Sequence, residues 1–258
     1  VKTFARADCL LCAGQRQRSY FYGWLVQAGR IPANEHFIRY IPISLDPKLP
    51  ARAPLADAND SPLFVSGGGW FPWQNQSKAI FAICREIEAR GQGKIRIFGT
   101  PHETATISAE EAAIREIYVG VGELSKKASR IQVEGYIGRE DLLKVYSSAS
   151  LAVEAMQYNL ERELAFTTRT IEYLWCGLPV LYNNYSEISD HIREYDAGWA
   201  IDPSSDAEIN RTLEEIFSSP EKLQLKSQNA QRLVQDRFSW DKTIEPLMDF
   251  LRHPSKAA

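Results

Sequence analysis

The pattern that most limits what this chain can fold into is an alternation of short apolar runs with longer amphipathic ones. Eight runs read as strands: Asp8–Ala13, Phe37–Ile41, Leu63–Ser66, Ile95–Phe98, Ile131–Glu134, Leu151–Glu154, Val180–Tyr182 and Gly198–Ile201. Most are brief and apolar at consecutive positions. A strand with one wet face alternates apolar and polar residues; a strand covered on both faces does not, and double coverage is the habit of parallel sheets. Between these runs the hydrophobic period becomes helical. Ser77–Arg90 places Ile80, Phe81, Ile83, Cys84 and Ile87 on one face, and Ala109–Val121 does the same with Ile114, Ile117, Tyr118 and Val121. Glu140–Ser147 follows a Gly-Arg turn. Thr168–Cys176 runs into Gly177 and Pro179, a helix-stop pair. Asp206–Ser218, Pro220–Arg237 and Trp240–Arg252 make the C-terminus helical. The exchange of strand and helix predicts an α/β fold: a Rossmann-like, doubly wound parallel sheet with a helical C-terminus.

The first 50 residues break this rhythm. One strand and one helix (Gln15–Ala28) lead into an extended stretch punctuated by Pro32, Pro42, Pro47, Pro50 and Pro54. Three parts are expected: residues 1–50 as the end of a preceding domain plus a linker, 51–238 as the sheet domain, and 239–258 as a C-terminal helix. The chain does not begin with Met, so a piece of a longer protein is expected. It contains no internal repeat and no low-complexity tract.

Charge then narrows the partners. The formal net charge is −3 over 258 residues, with 44% hydrophobic and 24% charged residues. No single-sign excess draws nucleic acid or an anionic membrane from a distance, so an anionic ligand must be held by local groups. No apolar run is long enough to span a bilayer, and the N-terminus lacks the basic start and apolar run of a secretory signal. Cys9, Cys12, Cys84 and Cys176 all lie in apolar contexts, which fits a reduced, cytoplasmic protein. Cys9 and Cys12 form a CxxC, but no second Cys pair or paired His follows, and the pair reads as strand interior. His36, His102, His191 and His253 show no ligand spacing, and no GxSxG elbow is present.

Three segments carry candidate chemistry. Gly67-Gly68-Gly69-Trp70 follows the strand at Leu63–Ser66 and precedes the helix at Ser77–Arg90. Glycines at such a junction let a ligand reach the backbone, and the next helix N-terminus favours an anion. The pattern is neither GxGxxG nor a Walker loop, and a tight structural turn is the plain alternative. Trp70 and Trp73 flank Phe71-Pro72; they suit stacking on a base or sugar face, or capping of the open sheet end. Gly135-Tyr136-Ile137-Gly138 sits at the end of another strand, where open α/β sheets bind ligands; simple turn glycines are the alternative.

The most informative segment is Glu161–Pro179. Thr167 and Thr168 are placed to cap the following helix. Arg169 and Glu172 lie three apart on its surface. A fixed Arg is poorly placed against the helix dipole at that end but well placed for a diphosphate. Glu172 can only accept when ionised, which suits a ribose diol. Glu161 and Glu163, read as loop residues just upstream, could accept from sugar hydroxyls. An Arg169–Glu172 surface ion pair is the bland alternative.

The run from Glu161 through Thr168-Arg169 to Glu172-Tyr173-Leu174-Trp175-Cys176-Gly177-Leu178-Pro179 resembles the donor signature of retaining GT-B glycosyltransferases of the family-four type. Ala7-Asp8 with Gln15-Arg16-Gln17-Arg18, the segment Gly67–Trp73, and Phe238-Ser239-Trp240 resemble the same group. Two Rossmann-like domains facing across a cleft are what the resemblance implies, the C-terminal one holding a nucleotide sugar and the other the acceptor. By the same resemblance Glu172 would hold the ribose, while Arg169, Thr168, Thr167 and the backbone after Phe166 would hold the diphosphate. Gly68 and Gly69 would lie beside the phosphates with Trp70 in the same loop, Tyr136 and Ile137 would border the base, and Glu161 would touch the donor sugar. Both Glu161 and Glu163 lie further upstream of Glu172 than is common in that family, so which one faces the sugar stays open.

The function so implied is retaining transfer from a nucleoside diphosphate sugar to an acceptor hydroxyl, as in glycan or polysaccharide biosynthesis. No metal or organic cofactor and no nucleic acid partner are expected. The acceptor would be a saccharide or a lipid-linked molecule reached through a preceding domain, and the full protein could associate peripherally with a membrane. A nucleotide-sugar epimerase of the same fold, or a non-catalytic nucleotide-sugar-binding module, are the alternatives. The scattered histidines give the epimerase little support.

Overall fold

The computed structural model describes residues 1–30, 37–53, 62–68, 71–99, 120–123 and 129–254. Two parallel sheets organise them. The smaller pairs β1 (Leu10–Cys12) with β2 (Ile38–Tyr40). The larger contains β3 (Leu63–Ser66), β4 (Lys94–Phe98), β5 (Ile131–Glu134), β6 (Leu151–Glu154), β7 (Val180–Asn183) and β8 (Gly198–Ile201), in the spatial order β5-β4-β3-β6-β7-β8. All its pairings are parallel. This is the doubly wound arrangement the apolar runs predicted.

The sequence splits its apolar residues between the two faces of this sheet, because successive strand side chains point opposite ways. Phe64, Ile95, Ile97, Leu151, Val153 and Leu181 face α3 (Ser77–Arg90) and the later helix Asp206–Ser218, meeting Ile80, Ile83, Ile87, Leu213 and Ile216. Val65, Phe98, Ala152, Val180 and Tyr182 face the opposite layer. That layer holds α4 (Arg139–Ser148), α6 (Thr168–Trp175), α7 (Glu187–Tyr195) and the long helix α9 (Pro220–Arg237). Both layers are needed, since neither set of strand residues could stay dry without one.

Helix α3 ends as its sequence requires. Gly91 adopts φ 61° at the C-cap, a left-handed conformation that glycine enters without penalty. The helix at Asp206–Ser218, here α8, is capped by Ser205, whose side chain accepts from the Glu208 amide. In the first part of the chain α1 (Lys2–Arg6) and α2 (Gln15–Gln27) pack with the small sheet around Cys12, Leu25, Phe37 and Ile38.

Several expectations are corrected. The C-terminal run Trp240–Arg252 is two helices, α10 (Trp240–Thr243) and α11 (Glu245–Arg252), with Pro246 in the first turn of the second. Proline cannot continue a preceding helix but fits a helix start. Helix α11 returns to the small sheet, where Arg39 donates to the Pro246 carbonyl and pairs with Asp249 at 2.9 Å. Glu161 and Glu163 lie not in a loop but on a short helix, α5 (Leu160–Leu164), capped by Asn159. The first strand is shorter than expected, so Cys9 precedes it and only Cys12 is inside it. Helix α7 is an addition the sequence reading did not contain. The expected helix Ala109–Val121 and His102 lie outside the described residues, apart from the helical residues 120–123.

Candidate functional site

The strand order reverses direction between β3 and β6, and open α/β sheets bind ligands in the crevice outside the carboxyl ends at such a point. Three polypeptide segments meet there: the Gly67–Gly68 turn after β3, the end of β6 at Glu154, and the N-terminus of α6.

Arg169 is the group around which they meet. Its guanidinium rests directly against the Gly68 backbone: a Cβ built on Gly68 would lie 1.7 Å from Nη1. Gly68 has φ 122°, so glycine is required there both by conformation and by space. Nη2 donates to Gln74 Oε1 at 3.2 Å and lies 3.7 Å from Glu154 Oε1. Glu154 is only 1% exposed at the end of β6, and its other carboxylate oxygen accepts from the Thr170 hydroxyl. A buried carboxylate is tolerated when a cation and a donor share it, so Glu154 anchors Arg169 at the crevice floor.

The walls are equally fixed. The Gly67 amide donates to the Tyr173 hydroxyl at 2.9 Å. Tyr173 is fully buried, and burial pushes its phenol up to about 12, so it stays protonated. Gln76 Nε2 donates to Ser66 Oγ at 2.7 Å at the end of β3. Phe71 and Trp73 stack at 4.8 Å between centroids, and Trp73 stays exposed. Asn159 donates to the Trp73 carbonyl and Gln157 donates its amide to the Asn75 carbonyl, which ties this loop to α5.

The expected cap of α6 is corrected. Thr167 occupies the N-cap but makes no cap hydrogen bond. Its hydroxyl instead contacts Thr170 Oγ1 at 2.7 Å and the Tyr182 hydroxyl at 3.1 Å, a chain of hydroxyls that runs on to Glu154. The first-turn amides of α6, at Thr168 and Arg169, are therefore not capped by that side chain, and a helix start in this state favours an anion.

The surface ion pair offered as the alternative for Arg169 and Glu172 does not form. Glu172 pairs with Arg139 at 2.7 Å, at the start of α4. This places Glu172 beside the Gly135–Gly138 turn, where Tyr136 is exposed and Ile137 leans on the core. Phe166 is buried edge-on against Phe238 at 5.5 Å, which leaves its backbone but not its ring for a ligand. Glu161 stands apart from the Arg169 cluster. It pairs with the buried Arg162 and lines an open groove of about 550 Å³ with Gln17, Tyr20, Phe21, Leu160 and Leu164. Glu163 accepts from the Tyr158 hydroxyl at 2.7 Å. Gly69 and Trp70 lie outside the described residues.

Glu154, Gln74, Tyr173 and Arg139 were missed by the sequence reading. Glu154 offered one signal, an acid ending an otherwise apolar strand that was itself read as buried. Among the described residues no three His, Cys, Asp or Glu side chains gather into a group that could hold a metal, and no helix is long and apolar enough to cross a membrane.

Residues 123–233 match the family model described as glycosyl transferases group 1. Over that stretch, which is less than half of the chain, the sequence is similar to this family. The finer family-four designation gives way to the group 1 description. Solved structures agree on the fold. Sucrose-phosphate synthase from Thermosynechococcus elongatus aligns with TM-score 0.70 and 19% identity, over 97% of this chain and 59% of its own. Anabaena HepE in complex with UDP and glucose aligns with TM-score 0.72 and 16% identity, over 97% of this chain and 64% of its own. A UDP-forming trehalose-phosphate synthase from Burkholderia xenovorans aligns with TM-score 0.72 and 10% identity, over 97% and 62%. This chain thus covers less than two thirds of each of these proteins. No curated protein sequence matches it.

Proposed function

We propose that this domain binds a nucleoside diphosphate sugar at the carboxyl edge of its six-stranded sheet and serves retaining transfer of the sugar to a hydroxyl of a saccharide or lipid-linked acceptor, as in glycan or polysaccharide synthesis. The observation that carries this reading is the approach of Arg169 to Gly68 at the strand-order reversal: a cation held at a side-chain-free stretch of backbone next to an uncapped helix start. That combination suits a diphosphate, which takes charge from the guanidinium and hydrogen bonds from main-chain amides. HepE, a similar fold, is described in complex with UDP and with UDP-glucose.

In this reading Arg169 and the amides of Thr168 and Arg169 stabilise the departing diphosphate, with Thr167, Gly68 and Gly69 alongside. The reaction then gains most from charge stabilisation at the leaving group and from positioning. Glu172 receives the ribose hydroxyls on the carboxylate oxygen that Arg139 does not occupy. Tyr136 and Ile137 border the base, Trp70 belongs to the phosphate loop, and Glu161 addresses the sugar or acceptor from the neighbouring groove. Charge neutralisation falls to protein groups, so the reading calls on no metal or organic cofactor. A cytoplasmic setting and peripheral membrane association of the full protein belong to the same proposal.

Calorimetric titration with UDP, GDP and dTDP tests it. One of the three should bind, and binding should be lost in Arg169→Ala and weakened in Glu172→Ala. Absence of binding by all three refutes the reading.

A further inference from the structure

Resting on the donor reading above, a second residue of α6 bears on the diphosphate. Tyr173 lies four residues after Arg169, so the two share one face of the helix. The Tyr173 ring is closed in by Tyr146, packed edge-on at 4.8 Å. Its hydroxyl receives the Gly67 amide at 2.9 Å. The fit is tight: a Cβ on Gly67 would stand 2.9 Å from the Tyr146 hydroxyl and 3.3 Å from that of Tyr173, so the backbone is pressed onto the two phenols. Ring packing alone needs no oxygen here, since phenylalanine fills the same space. The oxygen serves the Gly67 amide, a buried donor that would otherwise be unpaired.

We propose that Tyr173 is a positioning residue for the donor diphosphate, its hydroxyl pinning Gly67 and so fixing where Gly68 meets Arg169. One rigid helix then carries both the cation and the peg that sets the opposing loop, and preorganisation of this kind is what a site loses when its supporting shell loosens. The Gly67 amide is spent on Tyr173 and is not itself a phosphate donor.

The test compares a nucleoside diphosphate with its parent nucleoside, using whichever of UDP, GDP and dTDP the wild-type chain binds. In Tyr173→Phe the diphosphate Kd should rise about tenfold while the nucleoside Kd stays within about twofold, because only the phosphate end depends on the loop. A purely structural role would weaken both alike, and that result, or an unchanged ratio, overturns the proposal while leaving the donor reading intact. Failure of the wild type to bind any diphosphate overturns both. A second measurement needs no variant. The Gly67 amide in the wild type should be protected from hydrogen exchange before ligand is added and should gain little on addition, whereas the Thr168 and Arg169 amides gain protection. A Gly67 amide protected only by ligand contradicts the proposal.

Discussion

Replacing Gly68 by alanine puts the central contact of the site under direct stress. The added Cβ would fall 1.7 Å from Arg169 Nη1 and 2.3 Å from Cζ, well inside any contact distance. The obstacle is the far end of a flexible side chain, so the guanidinium swings away and the fold survives. Two effects follow. The backbone at φ 122° is foreign to alanine and adds strain of about 1–3 kcal/mol. The displaced guanidinium leaves Gln74 and moves off Glu154, and its proposed part in diphosphate binding goes with it. A charge-assisted hydrogen bond contributes about 1.5–3 kcal/mol, so diphosphate affinity should fall roughly ten- to hundred-fold. Gly91→Ala separates the two effects. Gly91 also has positive φ, 61°, but nothing lies within 4 Å of its added Cβ. It should lower stability by about 1 kcal/mol and leave binding alone. Calorimetric titration and thermal unfolding of both variants measure this. Diphosphate binding by Gly68→Ala within about twofold of wild type would refute the claim that Arg169 meets the ligand beside this loop.

Three further outcomes follow from the same structure. Glu154→Ala should lose about 3 kcal/mol in chemical denaturation, because it strips a buried ion pair of one partner, whereas Arg139→Ala should lose less than about 1 kcal/mol, its side chain being 65% exposed. Arg52→Ala should lose roughly 2–4 kcal/mol, since Arg52 donates to the Tyr146, Ser147 and Ala149 carbonyls at the end of α4; near-wild-type denaturation would exclude that capping role. His191 is partly buried beside Phe238, and burial holds its pKa below the usual 6.5. The unfolded chain therefore binds a proton the folded one resists, so stability present above pH 6.5 should decline as pH falls through the lowered folded value. Melting temperatures across this range should drop less in His191→Phe than in the wild type.

The sheet was legible because its physics is local. Val65 and Phe64 are adjacent, both apolar and both buried on opposite faces, and only a doubly covered strand needs that. Helix α3 was legible from its period and its terminal glycine. Helix α7 was not, because Ile188 and Ile192 are its only fully buried large apolar residues amid charged neighbours. Helix α5 was hidden because five polar-rich residues carry no period, although the Asn159 side-chain oxygen caps it by accepting from the Arg162 amide. Within the site, Arg169 was visible as a cation out of place at a helix start. Its partners were not. Glu154 lies on another element, and Tyr173 reads as core in any sequence, since only its contact with Gly67 distinguishes a working hydroxyl from a filler ring. Pairings of this kind are set by the crossing of β3, β6 and α6, which no local pattern encodes.

Under the proposed function a nucleoside diphosphate binds at the carboxyl edge between β3 and β6. Hydrogen–deuterium exchange with and without the bound diphosphate tests it most directly. Protection should concentrate at Gly68, at Thr168–Glu172 and at Tyr136–Arg139. Protection confined to the groove lined by Tyr20, Phe21 and Leu160, with those three segments unchanged, would contradict it.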